Sequence, residues 1–157
     1  YDSADSLAVE SVADTLFFRF IPAPGQQNNH QPEMNFNLSL SAARHIMAGS
    51  ANLSVDSMGL TDSLQLHLVN HSTISFGSEN VEDKPVPYGI VSITADNSEI
   101  RLYPRLTMQS LQVKLTGNTT LQIDKEAKIG KVSGTVAPTA VVNGPASYLY
   151  QLLFDQN

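Results

Sequence analysis

Hydrophobic residues in the middle of the chain recur as pairs whose two members are separated by a single residue. Each pair follows a turn-forming residue and two or three small polar residues. The spacing of two is the period of a β-strand, because alternate side chains of a strand lie on the same face of a sheet. The first members of successive pairs are 21, 26 and 21 residues apart, and such a recurring step indicates a repeat architecture. The four pairs are Leu53/Val55, Ile74/Phe76, Ile100/Leu102 and Leu121/Ile123.

A second apolar segment follows each pair and predicts a second strand in every repeat. One repeat carries an insertion at residues 79–89, where two prolines and a charge cluster predict a protruding loop. The second strand of that repeat is therefore expected later than in the others, at Ile90 and Ile93. In the other three repeats the segment begins 11 residues after the first member of the pair, at Leu64, Leu111 and Val132.

Two architectures fit a repeat of two strands and two turns. In the first, successive repeats stack as coils of a right-handed parallel β-helix-like solenoid with a period of about 21 residues. In the second, the two strands of a repeat fold back on each other in an antiparallel β-sandwich or meander. Tight hairpins favour Asn-Gly or Asp-Gly, whereas the corners read Asn-His-Ser at 70–72, Asp-Asn-Ser at 96–98 and Gly-Asn-Thr at 117–119. The sequence therefore predicts an all-β fold and favours the solenoid.

The length of 157 residues predicts one β-rich domain that spans the whole chain. The repeat region occupies residues 49–136. Residues 1–48 are expected to hold N-terminal strands, a loop and a capping helix. Residues 137–157 are expected to form a C-terminal cap or a segment that contacts a partner.

The first 48 residues follow the repeat pattern less closely. Residues 1–14 are acidic and small, which is typical of a linker or a short helix. Residues 41–48 predict a short helix, with Ser41 as its N-cap and Gly49 as its end. Strands are predicted at residues 15–21 and 34–40, with an exposed, proline-containing loop at residues 22–33 between them.

The C-terminal part of the chain contains two further features. Val142 lies one more step of 21 after Leu121, but its neighbours match the pattern too weakly for a fifth repeat to be assigned. Residues 148–154 read Tyr-Leu-Tyr-Gln-Leu-Leu-Phe and are apolar on every side, so we expect them to be buried. They would form a terminal strand, a helical cap or the contact surface for a partner or a further domain.

Composition narrows the range of functions. Charged residues are only 15% of the chain, so its polar surface comes largely from Ser, Thr, Asn and Gln, which is typical of exported β-proteins. The net charge is −6 and the nine Lys and Arg residues form no basic run, which argues against nucleic-acid binding. The absence of cysteine excludes disulfides and thiolate metal sites.

The same sequence predicts where the protein is found. No stretch approaches 18 consecutive apolar residues, so we expect no transmembrane helix in this chain. We expect an extracytoplasmic location, in the periplasm, at the cell surface or in the medium. A signal peptide ahead of Tyr1 is one way to direct that export, and a lipid anchor there is an alternative.

Candidate chemistry is concentrated around one repeat strand. The common hydrolase, nucleotide-binding and zinc-protease motifs are absent. Glu99 and Arg101 are expected to point outward, and with Lys114 they resemble the base and cations with which polysaccharide lyases act on uronates. The simpler interpretation is a solvated face with cross-strand ion pairs. Tyr103 at a strand end and Tyr88 in the inserted loop are candidate platforms for stacking sugars.

The histidines do not predict a metal site. His67 and His71 are four residues apart, and four residues of strand separate them by about 13 Å. His30 lies in the exposed loop with no partner nearby. We therefore predict neither a metal ion nor a cofactor.

Three of the repeat strands and their corners resemble the coils of a known family. They read Gly-Ser-Ala-Asn-Leu-Ser-Val at 49–55, Asp-Asn-Ser-Glu-Ile-Arg-Leu at 96–102 and Gly-Asn-Thr-Thr-Leu-Gln-Ile at 117–123. Over residues 45–136 the pattern is similar to the Gly-Ser-small-x-aliphatic-x-aliphatic coils of the head-GIN domain, a family of adhesin-like proteins common in Bacteroidetes. The resemblance implies export and a β-helix-like stack, and it supplies no catalytic residues.

The leading hypothesis is a non-enzymatic, exported module for adhesion, surface scaffolding or ligand binding that acts through one sheet face and the loop at residues 79–89. Its partner would be a surface polysaccharide or another protein, and residues 148–154 could join copies into an oligomer. The alternative is a carbohydrate-active enzyme, similar to a polysaccharide lyase, on an exposed sheet face. The candidate ligand-binding residues are Glu99, Arg101, Tyr103 and Tyr88.

Overall fold

The computed structural model describes residues 6–12, 15–21, 45–56, 62–77 and 85–154. The chain divides into two compact units, residues 1–37 and residues 38–157. The first unit contains two described strands, β1 (Ser6–Val12) and β2 (Thr15–Ile21), which pair antiparallel. The second unit contains the repeats.

Two parallel sheets of five strands each form the second unit, and the chain enters them alternately. We name them the long sheet and the short sheet after the lengths of their strands. In spatial order the long sheet consists of β3 (His45–Gly49), β5 (Ser63–Val69), β7 (Val86–Asp96), β9 (Leu106–Thr116) and β11 (Lys128–Val136). The short sheet consists of β4 (Asn52–Val55), β6 (Thr73–Phe76), β8 (Glu99–Leu102), β10 (Thr120–Ile123) and β12 (Val141–Asn143).

This arrangement is a β-solenoid of about four turns with a period of about 21 residues. Each coil contributes one strand to each sheet, and every described neighbour within the two sheets is parallel. The prediction of stacked coils is therefore confirmed, and the antiparallel sandwich or meander is wrong for this region.

The apolar pairs of the short strands stack over one another in the core. The first members form a continuous register in which the residue of each strand lies opposite its equivalent in the next. Ile74, Ile100 and Leu121 in the middle of this column are fully buried. Val142 pairs with Leu121, so the weak fifth copy is a real strand of the stack. The complete column is Leu53, Ile74, Ile100, Leu121 and Val142.

Side chains of the long sheet form the opposite wall of the core. Its inward residues alternate along β5, along β7 from Val91 and along β9 from Leu111, as expected for a sheet with one buried face. Ile90 and Ile93 both lie in β7, so the late second strand is confirmed. Val91 and Ile93 point inward, whereas Ile90 is 43% exposed. One column of this wall confirms the predicted second strands and consists of Leu64, Val91, Leu111 and Val132.

One corner of the coils holds hydroxyl groups that are buried. Ser72, Ser98 and Thr119 each lie two residues before the first apolar residue of a short strand, and all three are at most 5% exposed. Ser72 Oγ donates to the carbonyl of Val69 at 2.7 Å, and Ser98 Oγ donates to the carbonyl of Asp96 at 2.8 Å. The N–H of Ser98 donates to Thr119 Oγ1 in the next coil at 3.4 Å. The small polar residues of the repeat thus satisfy backbone groups that the turn removes from water.

A helix covers the last strand of the long sheet. In α1 (Ala146–Phe154), Tyr148 and Gln151 point toward the edge of β11. The N–H of Ile129 donates to the Tyr148 hydroxyl at 2.9 Å, and the N–H of Val132 donates to Gln151 Oε1 at 2.8 Å. The two side chains accept hydrogen bonds that a further strand would otherwise accept. Backbone donors at this edge of the sheet are therefore satisfied by the helix.

Burial of residues 148–154 on every side is wrong. Leu152 is buried, while Tyr150, Leu153 and Phe154 are at least 60% exposed. A strand edge can cover only one side of a helix, because residues three and four apart share a face and the others do not. Of the expected alternatives, the segment is the helical cap. The helix that the structure describes is too short to cross a membrane.

The N-terminal predictions have mixed outcomes. β2 confirms the strand at residues 15–21, whereas β1 replaces the linker or short helix expected within residues 1–14. The helix predicted at residues 41–48 is wrong at its C-terminal half, where β3 pairs with β5. Its first half, the loop at 22–33 and the strand at 34–40 lie outside the described residues.

Gly134 is a position that only glycine fits. Its φ is +140°, and a Cβ atom there would lie 1.8 Å from the carbonyl oxygen of Val113. We expect Gly134→Ala to lower the free energy of unfolding by about 2–4 kcal/mol, because the backbone must move and the ladder to β9 must distort. Urea unfolding followed by circular dichroism would measure this change.

Gly49→Ala is the matched control, because the added Cβ would lie at an ordinary 3.4 Å from Val69 Cγ2. We expect it to change the free energy of unfolding by less than about 1 kcal/mol. Equal stabilities of the two variants would contradict this account of the β9–β11 contact.

Candidate functional site

Glu99 and Arg101 form an ion pair on the outer face of the short sheet. They alternate along β8 with Ile100 and Leu102, which are buried, so their predicted outward direction is confirmed. Arg101 Nε donates to Glu99 Oε1 at 2.8 Å, and Arg101 Nη2 donates to Glu99 Oε2 at 2.8 Å. The side chains are 42% and 30% exposed for Arg101 and Glu99 respectively. This two-point contact fixes the plane of the guanidinium while leaving the pair accessible from solvent.

Tyr103 follows β8 directly and joins the same cluster. A hydrogen bond to Glu99 is the main cause that holds the pKa of Arg101 above its ordinary value, and a hydrogen bond to Tyr103 is the second. The guanidinium is therefore a permanent cation held between a carboxylate and a phenol. The structure thus brings three of the four predicted ligand-binding residues together.

The surroundings of this cluster are polar and almost uncharged. The outward positions of the short sheet align in two rows, which together we name the ladder face. Only Glu99 and Arg101 carry charge in these rows. Since β8 is the central strand of five, the ion pair lies in the middle of the face. The rows are Asn52, Thr73, Glu99, Thr120 and Val141, and Ser54, Ser75, Arg101, Gln122 and Asn143.

Lys114 does not join this cluster. It lies on β9 in the long sheet, where it is exposed and pairs with Thr94. The two sheets enclose the core between them, so the outer face of one points away from the outer face of the other. The three side chains that the lyase hypothesis combined, Glu99, Arg101 and Lys114, therefore do not share a face.

Tyr88 is a buried core residue and cannot stack on a sugar, so its prediction as a binding platform is wrong. It lies in β7, which begins at Val86, and not in a protruding loop. Its side chain is fully buried, and its ring packs edge-on against Phe76 with centroids 5.5 Å apart. Its hydroxyl contacts the carbonyls of Val55 at 2.7 Å and Asp56 at 2.8 Å.

His67 and His71, the two histidines that are four residues apart in sequence, occupy different parts of the coil. His67 points outward from β5, while His71 is exposed at a corner with a φ of 63°. Across the ranges that the structure describes, no three His, Cys, Asp or Glu side chains are grouped as a metal site. Arg105, also near the β8–β9 turn, approaches Glu126 at 4.0 Å.

Comparisons with family models, with curated proteins and with solved structures found no match to this chain. The function must therefore be argued from the solenoid and its faces.

Tyr88→Phe tests whether the buried hydroxyl secures the start of β7. It removes the donor to the Val55 and Asp56 carbonyls, so we expect the free energy of unfolding to fall by about 1–3 kcal/mol at pH 8. Tyr150→Phe is the control, because Tyr150 is 60% exposed on α1. We expect no measurable change in that variant, and a loss equal to that of Tyr88→Phe would contradict the assignment.

Tyr88→Phe should also change how the free energy of unfolding depends on pH above about pH 10. Burial raises the pKa of Tyr88 to about 12 from 10.0, so the unfolded chain loses the phenolic proton before the folded protein does. Stability contributed by the neutral phenol is present below pH 10 and lost between about pH 10 and 12. Tyr88→Phe has no phenol and does not lose this stability. The difference in free energy of unfolding between the wild type and the variant should therefore narrow by about 1 kcal/mol between pH 8 and pH 11. A constant difference in urea unfolding would count against this prediction.

Proposed function

We propose that this protein is an exported, non-enzymatic module that binds a surface polysaccharide through the ladder face. The observation that carries the proposal is the fixed Glu99–Arg101 pair with Tyr103 at the centre of an otherwise neutral polar sheet. Hydroxyl and amide side chains surround it in register. These are the groups that hydrogen-bond to sugar hydroxyls.

The dimensions of the face suit an extended polymer better than a compact ligand. Neighbouring strands are about 4.8 Å apart, so the five strands span about 19 Å along the stacking direction. Polar groups recur at every strand along this length, which offers the same contacts to each unit of a repeating chain. The arrangement resembles the extended surfaces that repeat proteins use for binding.

Polar chemistry also favours a glycan over a protein partner. Protein interfaces concentrate aromatic and aliphatic side chains at their centre. On the ladder face the one aliphatic residue is Val141, at the end strand, while the centre is charged and hydrogen-bonding. Arg101 can donate to a hydroxyl or a uronate carboxylate, and the ring of Tyr103 offers a neighbouring flat surface.

The geometry supports binding over lyase-like catalysis. A general base must be able to take a proton from the substrate. Both carboxylate oxygens of Glu99 already accept hydrogen bonds from Arg101, and Lys114 lies on the other sheet. These three residues therefore do not supply a base and a second cation at one place.

Composition and the resemblance to the head-GIN domain support the export and the adhesion or scaffold role that we propose. Only 15% of the residues in the chain are charged. A covered solenoid with a neutral polar face fits a protein that works outside the cytoplasm and holds surface polymers.

Arg101→Gln tests the proposal directly. It removes the cation and keeps a polar side chain, so retention by a bound polysaccharide should weaken about tenfold through loss of a charge-assisted hydrogen bond. Affinity electrophoresis through gels that contain neutral or uronate-bearing polysaccharides would measure the change. The exposed pair contributes at most about 1 kcal/mol to folding, so the thermal midpoint should stay nearly constant.

Lys114→Gln is the matched control, because it removes one exposed positive charge from the opposite sheet. We expect its retardation by polysaccharide, measured as mobility relative to a gel without polysaccharide, to equal that of the wild type. Equal weakening in both variants would show that net charge and not the ladder face governs binding. Lack of retention in every gel would remove the polysaccharide proposal.

A further inference from the structure

A second cluster of chemically distinctive side chains lies on the outer face of the long sheet. Along β3 the inward residues are Ile46 and Ala48, while His45 and Met47 point outward. Met47 is 68% exposed, although methionine is among the residues most often buried in proteins. This thioether therefore contributes nothing to the core.

The register places a second imidazole beside that thioether. Met47 lies opposite His67 in the parallel pair of β3 and β5, and His45 lies opposite Gln65. Adjacent strands are about 4.8 Å apart, and His45 precedes Met47 by two residues, or about 6.6 Å along the strand. His45, Met47 and His67 thus occupy three neighbouring outward positions of one face.

The sequence alone does not suggest this grouping, because the pattern at residues 41–48 predicts a helix. On a helix, residues two apart point in different directions, so His45 and Met47 would not act together. On a strand they share a face, and strand pairing then adds His67.

We propose that His45, Met47 and His67 form a surface site for a soft monovalent metal ion, Cu(I). A thioether is a soft ligand that selects Cu(I), and imidazole is a common copper ligand. Two nitrogens and one sulfur supply three donors, and the methionine side chain has three rotatable bonds with which to reach the ion.

The surroundings disfavour calcium and magnesium. Calcium and magnesium require carboxylate or carbonyl oxygens, and neither β3 nor β5 contains an aspartate or glutamate. The next residue beyond His67 on this face is Thr94, which is neutral. Lys114 follows one strand further, and its positive charge disfavours a divalent ion more than a monovalent one.

The site is separate from the ladder face and does not depend on polysaccharide binding. The two faces lie on different sheets. Loss of one function should therefore leave the other intact, which makes their failures distinguishable.

Titration with Ag(I), a stable analogue of Cu(I), provides the first test. In two-dimensional carbon–proton NMR spectra of the methionine methyl groups, we expect the Met47 signal to shift. The shift should reach its limit at one ion per chain. The signal of Met108, which is buried in the core, should not move. An unmoved Met47 signal, or equal shifts of both methyl groups, would overturn the site.

Competition for Cu(I) against a coloured chelator under reducing conditions provides the second test. Met47→Leu removes the sulfur at nearly constant volume, and His67→Asn removes one imidazole. We expect each to weaken Cu(I) binding at least tenfold while circular dichroism stays unchanged. His71→Asn, which removes an exposed histidine at a corner, should bind as the wild type does. Wild-type affinity in Met47→Leu, or an equal loss in His71→Asn, would contradict the proposal.

Discussion

The parallel ladder between successive coils is the constraint on which the second unit depends. Ile100 pairs with Ile74 on one side and Leu121 on the other, so each short strand copies the register of its neighbour. Because side chains alternate between the faces of a strand, a slip of one residue would turn a whole apolar column toward solvent. The buried column and the hydrogen-bond ladder therefore enforce the same alignment.

This constraint decides where the chain tolerates extra length. The step from Ile74 to Ile100 is longer than its neighbours, yet both residues keep the common register. The additional residues lie between β6 and β7, and Val91 then pairs with Leu64 and Leu111 as its equivalents do. Insertions between strands leave the ladder unchanged, whereas an insertion within a strand would move every residue after it to the wrong face.

The corners, as well as the apolar pairs, contribute to the stack. Ser50, Asn97 and Gly117 adopt positive φ at the corners, and for the first two this backbone conformation costs about 1–2 kcal/mol each. Hydrogen bonds offset part of that cost: Asn97 Oδ1 accepts the N–H of Asn118 at 3.0 Å in the next coil. The turn-former and small polar residues of the repeat are thus required by the turn and not merely tolerated on a surface.

The sequence predicted the features that depend on local periodicity. Leu53, Ile74, Ile100 and Leu121 were recognisable because each is one of an alternating pair after a turn, and the same alternation placed Glu99 and Arg101 outward. Features that depend on a neighbour in space were missed. β3 has the local composition of a short helix, and pairing with β5 makes it a strand.

Tyr88 and Val142 both pack with the core, yet their local sequence does not identify them, because their partners lie in other coils. Tyr88 stands among prolines and charges that are typical of a loop, but its ring fills the core over Met108 and packs against Phe76. Val142 lacks the second apolar member of a pair, since Gly144 stands two residues on, but Leu121 in the preceding coil supplies its partner. In both cases the environment comes from a residue about 20 positions away, which a window along the chain does not contain.

The register that aligns the core also aligns the outward side chains, and this links the fold to its candidate sites. Residues on the outer faces touch few core atoms, so substitutions there cost little stability. The exposed Glu99–Arg101 pair contributes at most about 1 kcal/mol, and the stack does not require it. Because pairing brings outward residues of different coils together at fixed spacing, a site can be assembled on either face without disturbing the column beneath it. The two faces can therefore carry different chemistry on one scaffold.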